Sequence, residues 1–188
     1  MKKRLFIWLI GLMGLSGSVN AQESVMTDAG AYEVKGVVEV DSVNAGALYD
    51  RAMVALSEWT GSDGNSKAGL DYHDRDAATV IYKGKEYVSE KKVLLDVIKS
   101  YAEFTLKVRC KDGRAQVTVT IPSVLSVSSK TGKNQSFTIV QLLNAVDKAS
   151  GKKEQRGEEY MEKLKKLGKE LYGAMENRLK NGGDDDDF

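Results

Sequence analysis

The chain has 188 residues, of which 28 are basic, 27 acidic, one histidine and one cysteine, for a formal net charge of +1. Without a basic excess, non-specific binding to nucleic acid has no electrostatic footing. A single cysteine, Cys110, excludes an internal disulfide and is a poor basis for redox chemistry.

In chain order, residues 1–21 read as a secretory signal. Lys2, Lys3 and Arg4 are the positive start, Leu5–Leu15 is the apolar run, and Val19-Asn20-Ala21 has the small-residue spacing of a cleavage site. The apolar run is shorter than the roughly 20 residues of a membrane span, so cleavage near Ala21 is favoured over a membrane anchor. That places the protein in the periplasm or outside the cell, with no stable membrane insertion afterwards. Cleavage removes three basic residues and no acidic one, leaving 25 against 27 and a formal charge of −2.

Gln22–Ala31, polar and small, is expected as a flexible lead-in. Tyr32–Val40 alternates, with Tyr32, Val34, Val38 and Val40 on one side and Glu33, Lys35 and Glu39 on the other, the pattern of a half-buried strand. Capping residue types in Asp41–Asn44 precede a helix over about Ala45–Trp59, whose apolar face is Leu48, Ala52, Ala55, Leu56 and Trp59. Gly61–Gly69 is a loop by composition. Leu70–His73 suggests a short strand, Asp74-Arg75-Asp76 a turn and Ala78–Lys83 the returning strand. Lys83–Ser100 fits either a short helix or a strand.

Tyr101–Ile121 carries the clearest pattern. Ala102, Phe104, Leu106, Val108 and Cys110 fall on one face, and Ala115, Val117, Val119 and Ile121 repeat it after Asp112-Gly113. Asp-Gly favours a two-residue hairpin turn with positive φ at both central positions. The register then sets Cys110 opposite Ala115, Val108 opposite Val117, Leu106 opposite Val119 and Phe104 opposite Ile121; a one-residue slip would invert every side chain. Pro122, the sole proline, should close the second strand or mark an edge. Ser126–Phe137 reads as a polar loop, and Ile139, Leu142, Leu143 and Val146 as a short helix ending near Ser150-Gly151. A long helix follows over about Glu154–Lys180, with the stripe Met161, Leu164, Leu167, Leu171, Met175 and Leu179, which is more simply core than a partner surface. Gly168 and Gly173 weaken it unless close packing requires them. Gly182–Phe188 is an acidic tail, disordered by composition, whose Asp184–Asp187 run would hold calcium poorly without a cage. The expected architecture is one α+β domain over 32–181, a two-layer sandwich of mostly antiparallel sheet with helices on one face.

Gly36-Val37-Val38-Glu39-Val40, Leu48-Tyr49-Asp50-Arg51-Ala52, Trp59 and Lys111-Asp112-Gly113-Arg114 together resemble the domain-of-unknown-function family 4468, common in exported proteins of Bacteroides-like bacteria. The resemblance covers about Tyr32–Val124. It implies a fold like that of the TATA-box-binding protein, in the order β-α-β4-α, and carries no activity, cofactor or site residue with it.

Candidate chemistry is sparse. Asp71, His73, Asp74 and Asp76 could offer metal ligands or an acid–base pair for a hydrolase, but Asp is common in solvated turns and no nucleophile is selected. Cys110, on the apolar face, reads as core. Lys35, Thr105, Lys107, Arg109 and Thr118 share the sheet face that the helices leave open, and are the candidate binding residues, although Glu39 and Glu103 interleave with them. That face lacks the apolar wedges with which sheets of this type enter the DNA minor groove, so no nucleic acid is expected. The reading is a non-enzymatic binding or interaction module of the cell envelope, with an unknown protein or small ligand as partner and no cofactor. The alternatives are a hydrolase using Asp71–Asp76 and a structural envelope-assembly component joined through the last helix.

Overall fold

The computed structural model describes residues 23–61 and 69–182. The expected signal segment, most of the Gly61–Gly69 loop and the acidic run Asp184–Asp187 lie outside them. Among the described residues the order is β1 (Glu23–Met26), β2 (Tyr32–Glu39), α1 (Ala45–Gly61), β3 (Gly69–Asp74), β4 (Thr79–Val93), β5 (Asp96–Lys111), β6 (Arg114–Ser128), β7 (Asn134–Thr138), α2 (Ile139–Asp147) and α3 (Lys152–Asn181). The strands form one antiparallel sheet in the order β1-β2-β6-β5-β4-β3, with β7 also paired to β6. The run β2-α1-β3-β4-β5-β6-α3 is the expected β-α-β4-α order; β1, β7 and α2 are additions to it.

Alternation decides the layers. Val34 and Val38 of β2, Val80 and Tyr82 of β4, Leu106 and Val108 of β5, and Val117, Val119 and Ile121 of β6 are buried on one face. Leu48, Ala52 and Leu56 of α1 and Leu164, Met175 and Leu179 of α3 are buried in the same core. Each large apolar side chain so buried contributes about 1.5–3 kcal/mol, so this layer contact is the main stabilising element. The face α3 buries is turned slightly from the expected stripe. Gly168 and Tyr172 are buried, whereas Leu167 and Leu171 are only half-buried. Gly168 allows the close approach: a Cβ there would meet Tyr32 Cε1 at 2.9 Å, while at Gly173 it would meet nothing. The stripe is therefore core, not a free assembly surface.

The helix ends are tied by named groups. Asn44 Oδ1 accepts from Ala47 N and Asp112 Oδ1 from Ala45 N, each at 2.8 Å, which satisfies two amides in the first turn of α1. Thr138 and Gln141 form a reciprocal capping box on α2. Arg51 Nη1 donates to the carbonyls of Leu179, at 2.7 Å, and Lys180, at 3.4 Å, and so links α1 to the open end of α3.

Several expectations are corrected. The lead-in pairs as β1, with Glu23 opposite Lys35. Of the two readings open for Lys83–Ser100, the strand holds and the helix does not. The stretch is the far half of the β4–β5 hairpin, whose two-residue turn is Leu94-Leu95. Its near-continuous cross-strand pairing supplies the backbone partners that a short helix would have found internally. Ser126–Phe137 is not a loop; β6 continues to Ser128 and β7 returns beside it. Pro122 does not close its strand. On one side of β6 the partner changes there, from β2 at Tyr32–Ile121 to β7 at Ser123–Thr138. On the other side the β5 register shifts between Thr105–Thr120 and Glu103–Ser123. A residue without N–H is tolerated at such a bulge and partner break. The expected hairpin register holds at Cys110–Ala115, Val108–Val117 and Leu106–Val119, and Phe104 falls in the bulge instead of pairing with Ile121. At the Asp112-Gly113 turn only Gly113, with φ 75°, is in the positive region. The turn is thus not of the doubly positive type expected, and the Asp112 carboxylate is bound to α1.

Candidate functional site

The sheet face turned away from the helices is built in rows, one residue from each neighbouring strand. Lys35, Thr118 and Lys107 form one row across β2, β6 and β5. Thr105 stands beside Thr120 in the row to one side. On the other side, Val37, Gln116, Arg109 and Thr79 form a row across β2, β6, β5 and β4. All five sequence-derived candidates, Lys35, Thr105, Lys107, Arg109 and Thr118, thus share the open face.

The last of these rows is the floor of an open concavity of about 490 Å³. Ala77, from the turn between β3 and β4, borders it, and Lys111 and Arg114 stand at the Asp112-Gly113 end. Lys111 and Arg114 are directly opposite one another in the hairpin, and Arg114 is opposite Glu39 on its other side. Three cations therefore meet two acids on this face, Glu39 and, beyond Thr79 at the far end of the floor row, Asp74, whose carboxylate is occupied by Ala77 N and the Tyr72 hydroxyl. Among the described residues Arg109, Lys111 and Arg114 make no ion pair, and neither do Lys35 and Lys107. Two cations elsewhere on the sheet are matched, Lys83 3.1 Å from Asp71 and Lys85 3.0 Å from Glu103. Cys110 also borders the concavity, but its side chain belongs to the core at 6% exposure. Burial pushes its thiol up to about 11, so it stays protonated and unreactive at neutral pH. Charge-assisted hydrogen bonding from two guanidinium groups and an ammonium, with Gln116 and Thr79 below, is the chemistry this arrangement can perform.

The Asp71–Asp76 cluster does not converge. Asp71 lies at a bulge of β3 and pairs with Lys83. His73 is opposite Val80, a core-facing position, and its Nδ1 is 3.4 Å from the Tyr49 hydroxyl of α1. Asp74 is opposite Thr79, on the other face. Its carboxyl accepts from Ala77 N and the Tyr72 hydroxyl, each at 2.9 Å. Those two bonds hold its pKa below the ordinary value, the Ala77 amide most of all. The pleat thus separates His73 from Asp74, because adjacent strand residues point to opposite faces. Among the described residues no three His, Cys, Asp or Glu side chains are grouped to hold a metal ion.

Sequence reasoning missed Val37, Thr79, Lys111 and Arg114 as site residues. Lys111 and Arg114 were within reach, since the hairpin register that pairs Arg109 with Gln116 also sets those two opposite each other. Val37 and Thr79 arrive through pairing with β6 and β5 across long stretches of sequence, which no local pattern encodes.

Residues 35–124 match the family model described as a domain of unknown function (DUF4468) with TBP-like fold. A DUF4468 family protein from Bacteroides ovatus superposes with a TM-score of 0.63 at 12% identity, over 83% of this chain and 90% of that one. A TBP-like protein from Parabacteroides distasonis superposes with a TM-score of 0.63 at 10% identity, over 84% and 97%. A search of the curated proteins finds no match. Likeness at such identities is likeness of fold, and it agrees with the family match. Residues 35–124 thus match the DUF4468 family model, a domain of unknown function with TBP-like fold, and the chain shares that fold with its solved neighbours.

Proposed function

We propose that the protein is a non-enzymatic binding module that holds a small anionic ligand, bearing carboxylate or phosphate, on its open sheet face, and that it works outside the cytoplasm after loss of its signal segment. The observation that carries this reading is the gathering of Arg109, Lys111 and Arg114 around the floor formed by Val37, Gln116 and Thr79. Strand register holds these positions, so the donors are arranged before any ligand arrives. Guanidinium groups present a planar fork of donors that suits carboxylate and phosphate oxygens. The concavity is open, so the ligand remains partly hydrated and affinity is modest and sensitive to salt.

Calorimetric titration with inorganic pyrophosphate and with citrate, followed in parallel by amide chemical shifts, tests this. Binding of at least one probe should perturb the amides of Arg109 and Gln116, and the double variant Arg109→Glu/Arg114→Glu should weaken it at least tenfold. If both probes leave those amides unmoved at low ionic strength, or if the double variant binds as the parent does, the proposal is wrong.

A further inference from the structure

At the opposite end of the sheet, the β4–β5 hairpin runs past its neighbours. Ile98–Ser128 is the last ladder pairing of β5 with β6; beyond it Val97 and Asp96 of β5 still meet the turn after β6, and the Leu94-Leu95 turn projects past that contact. The tip carries the two most exposed large apolar side chains of the described residues, Leu94 at 100% and Leu95 at 86%. Two adjacent leucines fully in water, with no core beneath them, gain nothing for the fold. The backbone there is also unusual. Leu94 is the first central residue of the turn and has φ 53°, in a position where glycine is the ordinary occupant. A bulky side chain at positive φ is a steric outlier, and such outliers cluster where a segment serves a contact.

The surroundings of the tip are basic. Lys91 and Lys92 precede it on β4 and Lys99 follows on β5, all exposed. Lys130 and Lys133 come from the turn between β6 and β7, which lies alongside through Ser129 N donating to Val97 O at 2.9 Å. Of the two nearby acids, Glu90 is opposite Lys99. The carboxylate of Asp96 is occupied by Ser128 Oγ at 2.6 Å and Lys130 N at 2.9 Å.

From this we infer that the Leu94-Leu95 tip is a finger that docks the protein on an anionic lipid surface, the leucines entering the headgroup boundary while the lysine rim meets lipid phosphates. Charge and size both select this occupant. A two-residue apolar tip is far too small for the interface of about 1,200 Å² that a stable protein complex needs. A bilayer boundary accepts a small apolar insertion when basic side chains add electrostatic attraction. Such docking is shallow, and distinct from spanning; no described helix is long and apolar enough to cross a membrane.

Co-sedimentation with lipid vesicles tests it. Residues 22–188 are used in every sample, because Leu5–Leu15 would partition by itself and the buried core of the described residues lies within Ala31–Leu179. The parent chain should bind vesicles containing phosphatidylglycerol at least tenfold more tightly than pure phosphatidylcholine vesicles at low salt. Leu94→Gly/Leu95→Ser should lose at least tenfold of that binding while melting no lower than the parent, since glycine accepts φ 53° without strain. Lys91→Glu/Lys92→Glu should reduce binding to phosphatidylglycerol and leave the phosphatidylcholine baseline unchanged. Equal binding to both vesicle types, undiminished binding by the leucine variant, or a protein captured through the tip by a chain that ignores vesicles would each overturn the inference. The site lies at the far end of the sheet from the cationic concavity, so failure of one reading leaves the other standing.

Discussion

The two hairpin turns at the ends of β5 differ in nearly every physical respect. The Asp112-Gly113 turn places glycine at its positive φ, and it is held on several sides. Val40 N donates to Gly113 O, Gly113 N to Val43 O, and Ala45 N to the Asp112 carboxylate, each at 2.8 Å. The Leu94-Leu95 turn places leucine where the backbone is positive, and leaves it in water. One turn is an anchor for the start of α1 and the rim of a concavity; the other is a free end. A chain that can build the first kind of turn and yet carries the second shows that hairpin tips divide between fold and surface duties.

The largest effect should come from the β4–β5 stretch both ends depend on. A Cβ on Gly84 would lie 2.5 Å from Phe104 Cζ and 2.9 Å from Tyr82 Cε1. Gly84→Ala is therefore expected to destabilise by about 1–3 kcal/mol through overpacking, read as a lower urea midpoint at unchanged slope. The turns themselves should respond with opposite signs. Nothing lies within 4 Å of a Cβ at Gly113, so Gly113→Ala isolates backbone strain and should cost about 1–2 kcal/mol. Leu94→Gly removes the same kind of strain, offset in part by greater freedom of the unfolded chain, and should gain about 0.5–1 kcal/mol. Thermal melts of the two single variants moving in the same direction would erase the distinction drawn above.

The smallest effect concerns Glu103, between the two ends. Burial raises its pKa, but bonds from the Ser123 hydroxyl and Lys85 outweigh burial and leave it lowered. The folded value thus lies below the unfolded one. The stabilisation is complete above the unfolded value of about 4.3 and is lost as pH falls through the folded value. Glu103→Gln should cost about 0.5–1 kcal/mol at pH 7, and the gap between variant and parent should close on acidification. A gap that persists in acid would mean that the carboxylate charge is not what Lys85 and Ser123 hold.

What could be read in advance follows from range. Period-two alternation in Tyr32–Val40, Ala102–Cys110 and Ala115–Ile121 marked those strands and their buried faces, because burial on one face imposes that period; Ala78–Lys83 was legible only as the strand returning from a turn. The Asp112-Gly113 pair marked its own hairpin and three of its cross-strand pairs. Lys83–Ser100 resisted because Glu86–Lys92 has no fully buried position on either face, so no strict apolar alternation is imposed on it. The open face was legible as a list of residues, but not as a concavity. Its floor needs β2 and β4 on either side of the β5–β6 hairpin, an arrangement set by packing of the whole sheet beneath α1 and α3. Asp71–Asp76 looked like a cluster along the chain and came apart because the pleat sends neighbours to opposite faces.

The change of partner at Pro122 has a further consequence. Beyond that residue, Ser123–Val127 is shielded on one side only by the five residues of β7. A chain ending before Asn134 would expose a row of unsatisfied amides and carbonyls beside buried Val124, and would lack α2 and α3 as well. Bare edges of that kind recruit strands from other molecules, so a prematurely terminated product would self-associate, and the short β7 replaces a long bare edge over buried Val124 with one of five residues.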